Sequence, residues 1–323
     1  MNHSTFKSFT FGIGLFFTLP LVYGNSSSPS SSDGTLYINK SKTHKVAPVK
    51  YGFHYEEIGM MGEGALHAEL IRNRSFEEAT PPAGLSVKNG LYENVPAPRV
   101  KEKKVFQADP LIGWTTYPLS YTPVFISRTD ENPMSGENKY SMLVNVTEDI
   151  ANHPDALILN RGYYGMNLKT DTSYRLSLFL KNRNYSAPLR VFLVDEWGQR
   201  VSNVIEVNVG NRDWTKYTGE LKPEKNVRRG MFAIQPMSKG QFQIDVVSLF
   251  PSDTWNDGKS VFRKDIVQNL KEFSPSFIRF PGGCIVHGVN EETMYHWKKT
   301  LGPIENRPGQ WSKWAPYYRT DGI

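Results

Sequence analysis

The chain has 323 residues, 39% of them hydrophobic, which is enough for a real core and leaves room for two domains of ordinary size. Its formal charge is +6, but the strongest local cluster (Arg99, Lys101, Lys103 and Lys104, diluted by Glu102) is a solvated loop rather than the long basic stripe of a nucleic-acid binder. A single cysteine, Cys284, excludes an internal disulfide, so burial and hydrogen bonds must hold the fold.

The N-terminus has the pattern of a secretory signal over residues 1–24. Lys7 supplies a short positive region, Phe9 to Val22 is apolar and interrupted by Pro20, and small residues follow near Gly24. The apolar span is shorter than the about 20 residues that a membrane helix needs. Residues 25–34, NSSSPSSSDG, are a Ser-rich flexible linker. An exported protein, secreted or periplasmic and without a membrane anchor, is expected. Sequons occur at Asn39, Asn73, Asn145 and Asn184.

Over residues 35–80 the pattern predicts a strand at TLYINKS and a second, Lys50 to Ile58, ending in two carboxylates. A helix is expected within Glu63–Arg72, where Ala65, Leu66, Leu70 and Ile71 have helical spacing. From 81 to 250 Pro and Gly punctuate short segments with period two. Leu176, Leu178 and Leu180 alternate with polar or smaller residues, as do Ile205, Val207 and Val209, and Phe242, Ile244 and Val246. That pattern predicts an antiparallel β-sandwich of jelly-roll type, resembling a carbohydrate-binding module. From 251 to 323 the period changes to 3.6. Ser260 is the expected N-cap of a helix whose apolar stripe is Val261, Phe262, Ile266, Val267, Leu270 and Phe273, ended by Ser274-Pro275. Phe277 to Phe280 is then a strand. With the sandwich lifted out, strand, helix and strand read as the opening of a (β/α)8 barrel, so the fold class is α/β plus all-β, with the barrel incomplete in this chain.

Barrel chemistry sits where strands end. The first strand ends in Glu56 and Glu57, and adjacent residues point to opposite faces, so only one can face the interior. Glu56 shares its parity with His54. It is either a carboxylate for sugar hydroxyls or half of a structural ion pair with an arginine such as Arg279. The second strand carries Arg279 and runs into Pro281-Gly282-Gly283-Cys284. The glycines permit close backbone approach to a ligand or form an ordinary tight turn. Cys284 has no persuasive histidine partner and reads as a buried or cleft-lining thiol. The histidines show no metal-ligand spacing, and no phosphate or dinucleotide fingerprint is present. No cofactor is expected. An aromatic content of 13% suits either a sugar cleft or a sandwich, while Trp297, Trp311 and Trp314, set among Gly, Pro and Tyr, read as a cleft rim.

YGFHYEEIGMMGEGALHAELIRNRSFE (Tyr51–Glu77), RFPGGCIVHG, WKKTLGPIENRPG and the late TDG resemble, in that order, the α-L-arabinofuranosidases of glycoside hydrolase family 51. The resemblance implies removal of terminal α-L-arabinofuranosyl groups from arabinose-containing plant polysaccharides by a retaining mechanism with two glutamates about 5 Å apart. It implies that Glu56 binds the sugar, that Arg279 lies beneath the nucleophile, that Cys284 stands in the substrate-binding set where some members carry an asparagine that touches the arabinose, and that Trp314 lines the leaving-group side. Gly282 and Gly283 complete the expected substrate-binding set. His287 departs from a glutamate common in the family. In the family both catalytic glutamates follow TDG, so both are expected beyond Ile323, no catalytic residue is assigned here, and the 323 residues are expected to be inactive alone. The alternative is a non-catalytic carbohydrate-binding protein using the sandwich.

Overall fold

The structure, a computed structural model, describes residues 39, 41, 45, 51–58, 60–80, 86–89, 91–93, 106–107, 109–288, 291, 293–311 and 319–320. It divides into two compact units, residues 1–47 and 48–323. In the first, the Ser41 N–H and hydroxyl both donate to Asn39 Oδ1, at 3.0 and 2.7 Å. The expected signal and linker segments, most of the expected strand TLYINKS, Trp314, and Asp321 and Gly322 of the TDG motif lie outside the described residues. Among those residues no helix is long and apolar enough to cross a membrane.

The second unit opens with the short strand β1 (Phe53–His54), followed by a π-helical turn, Gly62–Leu66. The helix expected within Glu63–Arg72 does not continue past that turn. His67 has ψ of +131°, so the backbone is already extended there, and Asn73 and Phe76 further on have φ of +53° and +59°. Side chains satisfy this buried, irregular backbone in place of helical bonds. The Glu69 carboxylate accepts from the Ile71 and Leu249 N–H groups at 3.0 and 2.8 Å, and Glu77 from Lys139 and Tyr140 at 2.7 and 2.9 Å. Two ion pairs tighten the segment, Arg72 to Glu78 at 2.7 Å and the buried Arg74 to Glu69 at 3.6 Å. Asn73 is itself buried. Its amide donates to the Pro110 carbonyl at 3.1 Å and its Oδ1 accepts from Glu78 N–H at 3.2 Å, which closes that sequon to a glycan in the folded chain.

A three-stranded antiparallel meander follows, β2 (Ser86–Lys88), β3 (Leu91–Glu93) and β4 (Phe106–Gln107). The main body comprises β5 (Trp114–Tyr117), β6 (Val124–Thr129), β7 (Ser141–Val146), β8 (Leu157–Asn160), β9 (Met166–Leu168), β10 (Tyr174–Asn182), β11 (Pro188–Val194), β12 (Ile205–Asn208), β13 (Thr215–Leu221), β14 (Val227–Pro236) and β15 (Gly240–Pro251). These make two antiparallel sheets, in the orders β13-β10-β15-β7-β6 and β12-β11-β14-β8-β5, with β9 added along β14. Inward residues of both sheets share one apolar core, including Leu176, Leu178 and Leu180 from one and Leu189, Val191, Phe232 and Ile234 from the other. The period-two reading thus marks the inward face of β10 correctly. It fails within β15, where the pairing slips between Ser177 and Phe179: Ser177 faces Ser248, yet Phe179 faces Asp245. The extra residue is a β-bulge, and Val246 there has φ of +42°. Phe242 and Ile244 point into the core before the bulge, and Val247 and Leu249 after it.

Where the chain runs into and out of the sheets, its two passages lie side by side. Ala68 N–H donates to the Val261 carbonyl at 2.8 Å, Leu70 N–H to Leu249 at 3.1 Å and Arg263 N–H to Leu66 at 2.9 Å, around an antiparallel bridge between His67 and Phe262. Helix α1 (Lys264–Glu272) then starts after Arg263, later than the expected Ser260 cap, whose hydroxyl accepts instead from Phe262 N–H at 3.2 Å. Its apolar stripe exists but no residue of α1 is buried. Strand β16 (Ile278–Arg279) pairs in parallel with β1, Phe53 opposite Ile278 and His54 opposite Arg279. The short helix α2 (Cys284–His287) and a small hairpin, β17 (Gln310–Trp311) with β18 (Arg319–Thr320), complete the described elements.

Candidate functional site

The parallel pair places two loops together at its C-terminal end. Tyr55 N–H donates to the Arg279 carbonyl at 2.9 Å and Glu57 N–H to Pro281 at 2.7 Å, carrying the ladder beyond the formal strands. Glu56 therefore meets the turn after β16, and its Oε1 accepts from Gly283 N–H at 3.3 Å. Gly282, at φ +141°, could bear no side chain there, because a Cβ would lie 2.2 Å from Glu56 Cγ. The other Glu56 oxygen is 3.7 Å from His54 Nε2, as their shared parity requires.

Arg279 is exposed and, among the described residues, makes no ion pair with Glu56. Its Nη2 is 3.2 Å from where a Gly283 Cβ would stand, so guanidinium, Gly283 backbone and Glu56 carboxylate form one continuous surface. Cys284 begins α2 as a free, partly exposed thiol, and exposed His287 ends it. The structure thus gathers Glu56, Arg279, Gly282, Gly283 and Cys284. Among the described residues no cluster of three or more His, Cys, Asp or Glu side chains could hold a metal ion.

Glu57 has a different task, which the sequence reading left unassigned. Its buried Oε2 accepts from Gly62 N–H and, at 3.2 Å, from Glu63 N–H, so it closes the turn that follows β1. The doublet contained the signal: opposite parity sends the second carboxylate away from the first and into its own loop. Tyr55 supports the same turn by donating its hydroxyl to the Met61 carbonyl at 2.8 Å, and burial, then the nearby Glu57 charge, raises its pKa. Tyr295 also went unnoticed. Burial pushes its hydroxyl up to about 12, and the Glu63 and Glu57 charges add to that effect. Beside these groups is an apolar cavity of about 440 Å³ whose lining includes Tyr55, Phe280, Pro281, Tyr295 and Trp297.

Residues 269–323 match the family model described as "Alpha-L-arabinofuranosidase 1 domain". The chain is 28% identical over 278 residues to alpha-L-arabinofuranosidase 1 of Arabidopsis thaliana, covering 84% of this chain and 37% of that protein. It is 26% identical over 320 residues to a probable alpha-L-arabinofuranosidase A of Aspergillus flavus, covering 96% and 43%. An extracellular exo-alpha-L-arabinofuranosidase of Streptomyces chartreusis is 26% identical over 286 residues, covering 84% and 30%. Among solved structures, an arabinose-bound GH51 α-L-arabinofuranosidase superposes with a TM-score of 0.69 at 25% identity, covering 88% of this chain and 42% of that one.

These likenesses make the chain glycosidase-like in sequence and fold. More narrowly, it is similar to the α-L-arabinofuranosidases of glycoside hydrolase family 51, and it spans about two fifths of the length of the Arabidopsis and Aspergillus relatives, 37% and 43%.

Proposed function

We propose that residues 48–323 carry the sugar-binding end of an α-L-arabinofuranosidase that releases terminal α-L-arabinofuranosyl groups from arabinose-containing polysaccharides. In this reading β1, α1 and β16 are the first strand–helix–strand step of a (β/α)8 barrel. The sheets from β5 to β15 are a jelly-roll, carbohydrate-binding-module-like insertion, within a domain running from about 81 to 250. The observation that carries the reading is the meeting of Glu56 with the Gly282-Gly283 turn at the C-terminal end of the parallel pair. A carboxylate held there accepts hydrogen bonds from two sugar hydroxyls, the glycine backbone lets the ring approach closely, and the Cys284 thiol and Arg279 guanidinium border the same surface. Trp314 is assigned to the leaving-group side.

A retaining mechanism needs an acid/base and a nucleophile about 5 Å apart. We assign none of the described glutamates to either role, since Glu57 holds a turn and Glu69 a buried ion pair. The 323 residues alone are therefore expected to show no turnover of an aryl α-L-arabinofuranoside above buffer. Clear turnover in a preparation free of host glycosidases overturns that assignment. Export through residues 1–24 belongs to the same proposal, supported by the extracellular Streptomyces relative.

Titration with L-arabinose, followed by NMR, tests the binding site. Glu56→Gln removes a charged acceptor and is expected to weaken binding by about tenfold or more, with the melting temperature unchanged. Equal affinity in the variant would show that Glu56 does not contact the sugar.

A further inference from the structure

A second concave site lies where the sandwich meets the segment around α1, and it shares no lining residue with the Glu56 site. It is a cavity of about 630 Å³, within the usual range of roughly 300–1,000 Å³ for ligand pockets. The sandwich contributes Tyr163, Tyr164 and Asn167 from the turn before β9 and from β9 itself, while Arg263, Asp265 and Gln268 come from the start of α1.

Three features narrow what it takes. The first is an aromatic pair with one rigid member. Tyr163 packs on Gly64, where a Cβ would stand 2.9 Å from the ring, and the Arg72 guanidinium lies 5.9 Å from its centroid. The neighbouring Tyr164 is 80% exposed although it lines the cavity. A large aromatic left in water beside a pocket offers a flat apolar face to a partner.

The second feature is nearly balanced charge. Lys169, Arg263 and Lys264 stand against Asp253 and Asp265, the buried Glu69 being paired with Arg74 outside the lining, and Arg263 Nε donates to Asp265 Oδ1 at 3.1 Å. Such a lining carries little net charge, yet it is dense in hydrogen-bond donors and acceptors. The third is His67, which lines the cavity, is 6% exposed, and has an Nδ1 with no hydrogen-bond partner among the described residues. Unpaired buried polar nitrogens are uncommon because each costs desolvation without a compensating bond.

We propose that this cavity is a second carbohydrate subsite, holding a neutral oligosaccharide segment with the Tyr164 ring against the C–H face of a sugar and Asn167 and Gln268 on its hydroxyls. The sugar class fits because its rings present an apolar face and a hydroxyl edge at once, while a charged polymer would gain little from a lining so nearly balanced. The site does not need Glu56 to act. The turn at Gly62–Leu66 connects the two places, since Glu57 holds its start and Gly64 lines the cavity.

The test uses the full chain carrying Glu56→Gln, so that binding at the first site is weakened. Linear β-1,4-xylohexaose and α-1,5-arabinohexaose are titrated calorimetrically, with trigalacturonate as the charged comparison. At least one neutral hexasaccharide is expected to bind and trigalacturonate to bind more weakly. Adding Tyr164→Ala or, separately, Asn167→Ala is expected to weaken binding by about tenfold. Both residues are exposed, so each variant should keep the parent's melting temperature. The proposal is overturned if neither hexasaccharide binds, if trigalacturonate binds as well as they do, or if both added substitutions leave the affinity within twofold. Because Glu56→Gln addresses the first site and Tyr164→Ala the second, failure of one reading is separable from failure of the other.

Discussion

The sandwich and the parallel pair handle apolar residues in opposite ways. In the sandwich Phe232, Phe242, Leu178 and Ile234 are fully buried between two sheets whose neighbours bond in antiparallel ladders. Around β1, β16 and α1 the large apolar side chains Phe273, Phe277, Ile278 and Phe280 are 61%, 53%, 53% and 42% exposed. The two antiparallel sheets close a core between their inward faces, through pairings that reach far along the chain such as β10 with β15, whereas a parallel sheet requires covering elements on both faces. The same chain thus contains a region with a closed core and one whose apolar faces have no packed cover among the described residues.

The most severe test of this contrast is a pair of truncations. Phe232→Ala is expected to cost about 3–5 kcal/mol in urea unfolding, since it empties a fully buried site beside Trp114, whereas Ile278→Ala should stay within about 0.5 kcal/mol. Similar losses from both would erase the distinction. Next comes the polar segment between the two regions. Glu69→Ala removes the carboxylate paired with the buried Arg74 and leaves the Leu249 and Ile71 N–H groups and the Ser248 hydroxyl without that acceptor, for an expected loss of about 3 kcal/mol. A loss under about 1 kcal/mol would show that the two regions do not depend on that contact.

His67 gives the contrast a pH dependence. Burial, reinforced by the Arg74 and Arg307 charges, lowers its pKa to about 3, while the unfolded chain takes up the proton near 6.5. Between those values the unfolded state binds more protons, so stability declines as pH falls from about 6.5 toward 3. From pH 7 to pH 5 the loss is about 2 kcal/mol, and His67→Phe should remove that share of the slope in melts at the two pH values. An unchanged slope would mean that His67 titrates normally in the fold. The smallest effect belongs to the sandwich surface. Glu224→Ala breaks an exposed 3.5 Å pair with Arg200 and should cost no more than about 0.5 kcal/mol. A loss above 1 kcal/mol in the same urea experiment would mark a network that the surface geometry does not reveal.

The sequence made some of this legible because some patterns have one physical meaning. The alternation of Leu176, Leu178 and Leu180 admits only one inward face, and the His54–Glu56 parity follows from the pleat alone. The β15 alternation could not be read through, because a bulge adds a residue without altering residue types, and parity reverses after Val246. Residues 63–72 misled for another reason. Their apolar spacing is helical, but Glu69, Asn73, Glu77 and Glu78 build a buried hydrogen-bonded network with contacts to strands far along the chain. Such partners have no local signature. At the candidate site, the resemblance put Glu56, Gly282 and Gly283 in one expected substrate-binding set, while the hydrogen bond from Gly283 N–H to Glu56, the turn-closing work of Glu57 and the burial of Tyr295 required the three-dimensional neighbours.

The side-by-side passages at Ala68–Leu70 and Leu249–Arg263 give the sandwich the character of a cassette. A domain whose two ends emerge together can be added to, or removed from, a host loop without separating the strands that flank it. The bridge between His67 and Phe262 acts as the clasp of that cassette, so β1 and α1 meet the same anchoring geometry whatever lies above it. For the segments around β1 and α1, the long run of sheets is thus entered and left at one place, as a hairpin would be.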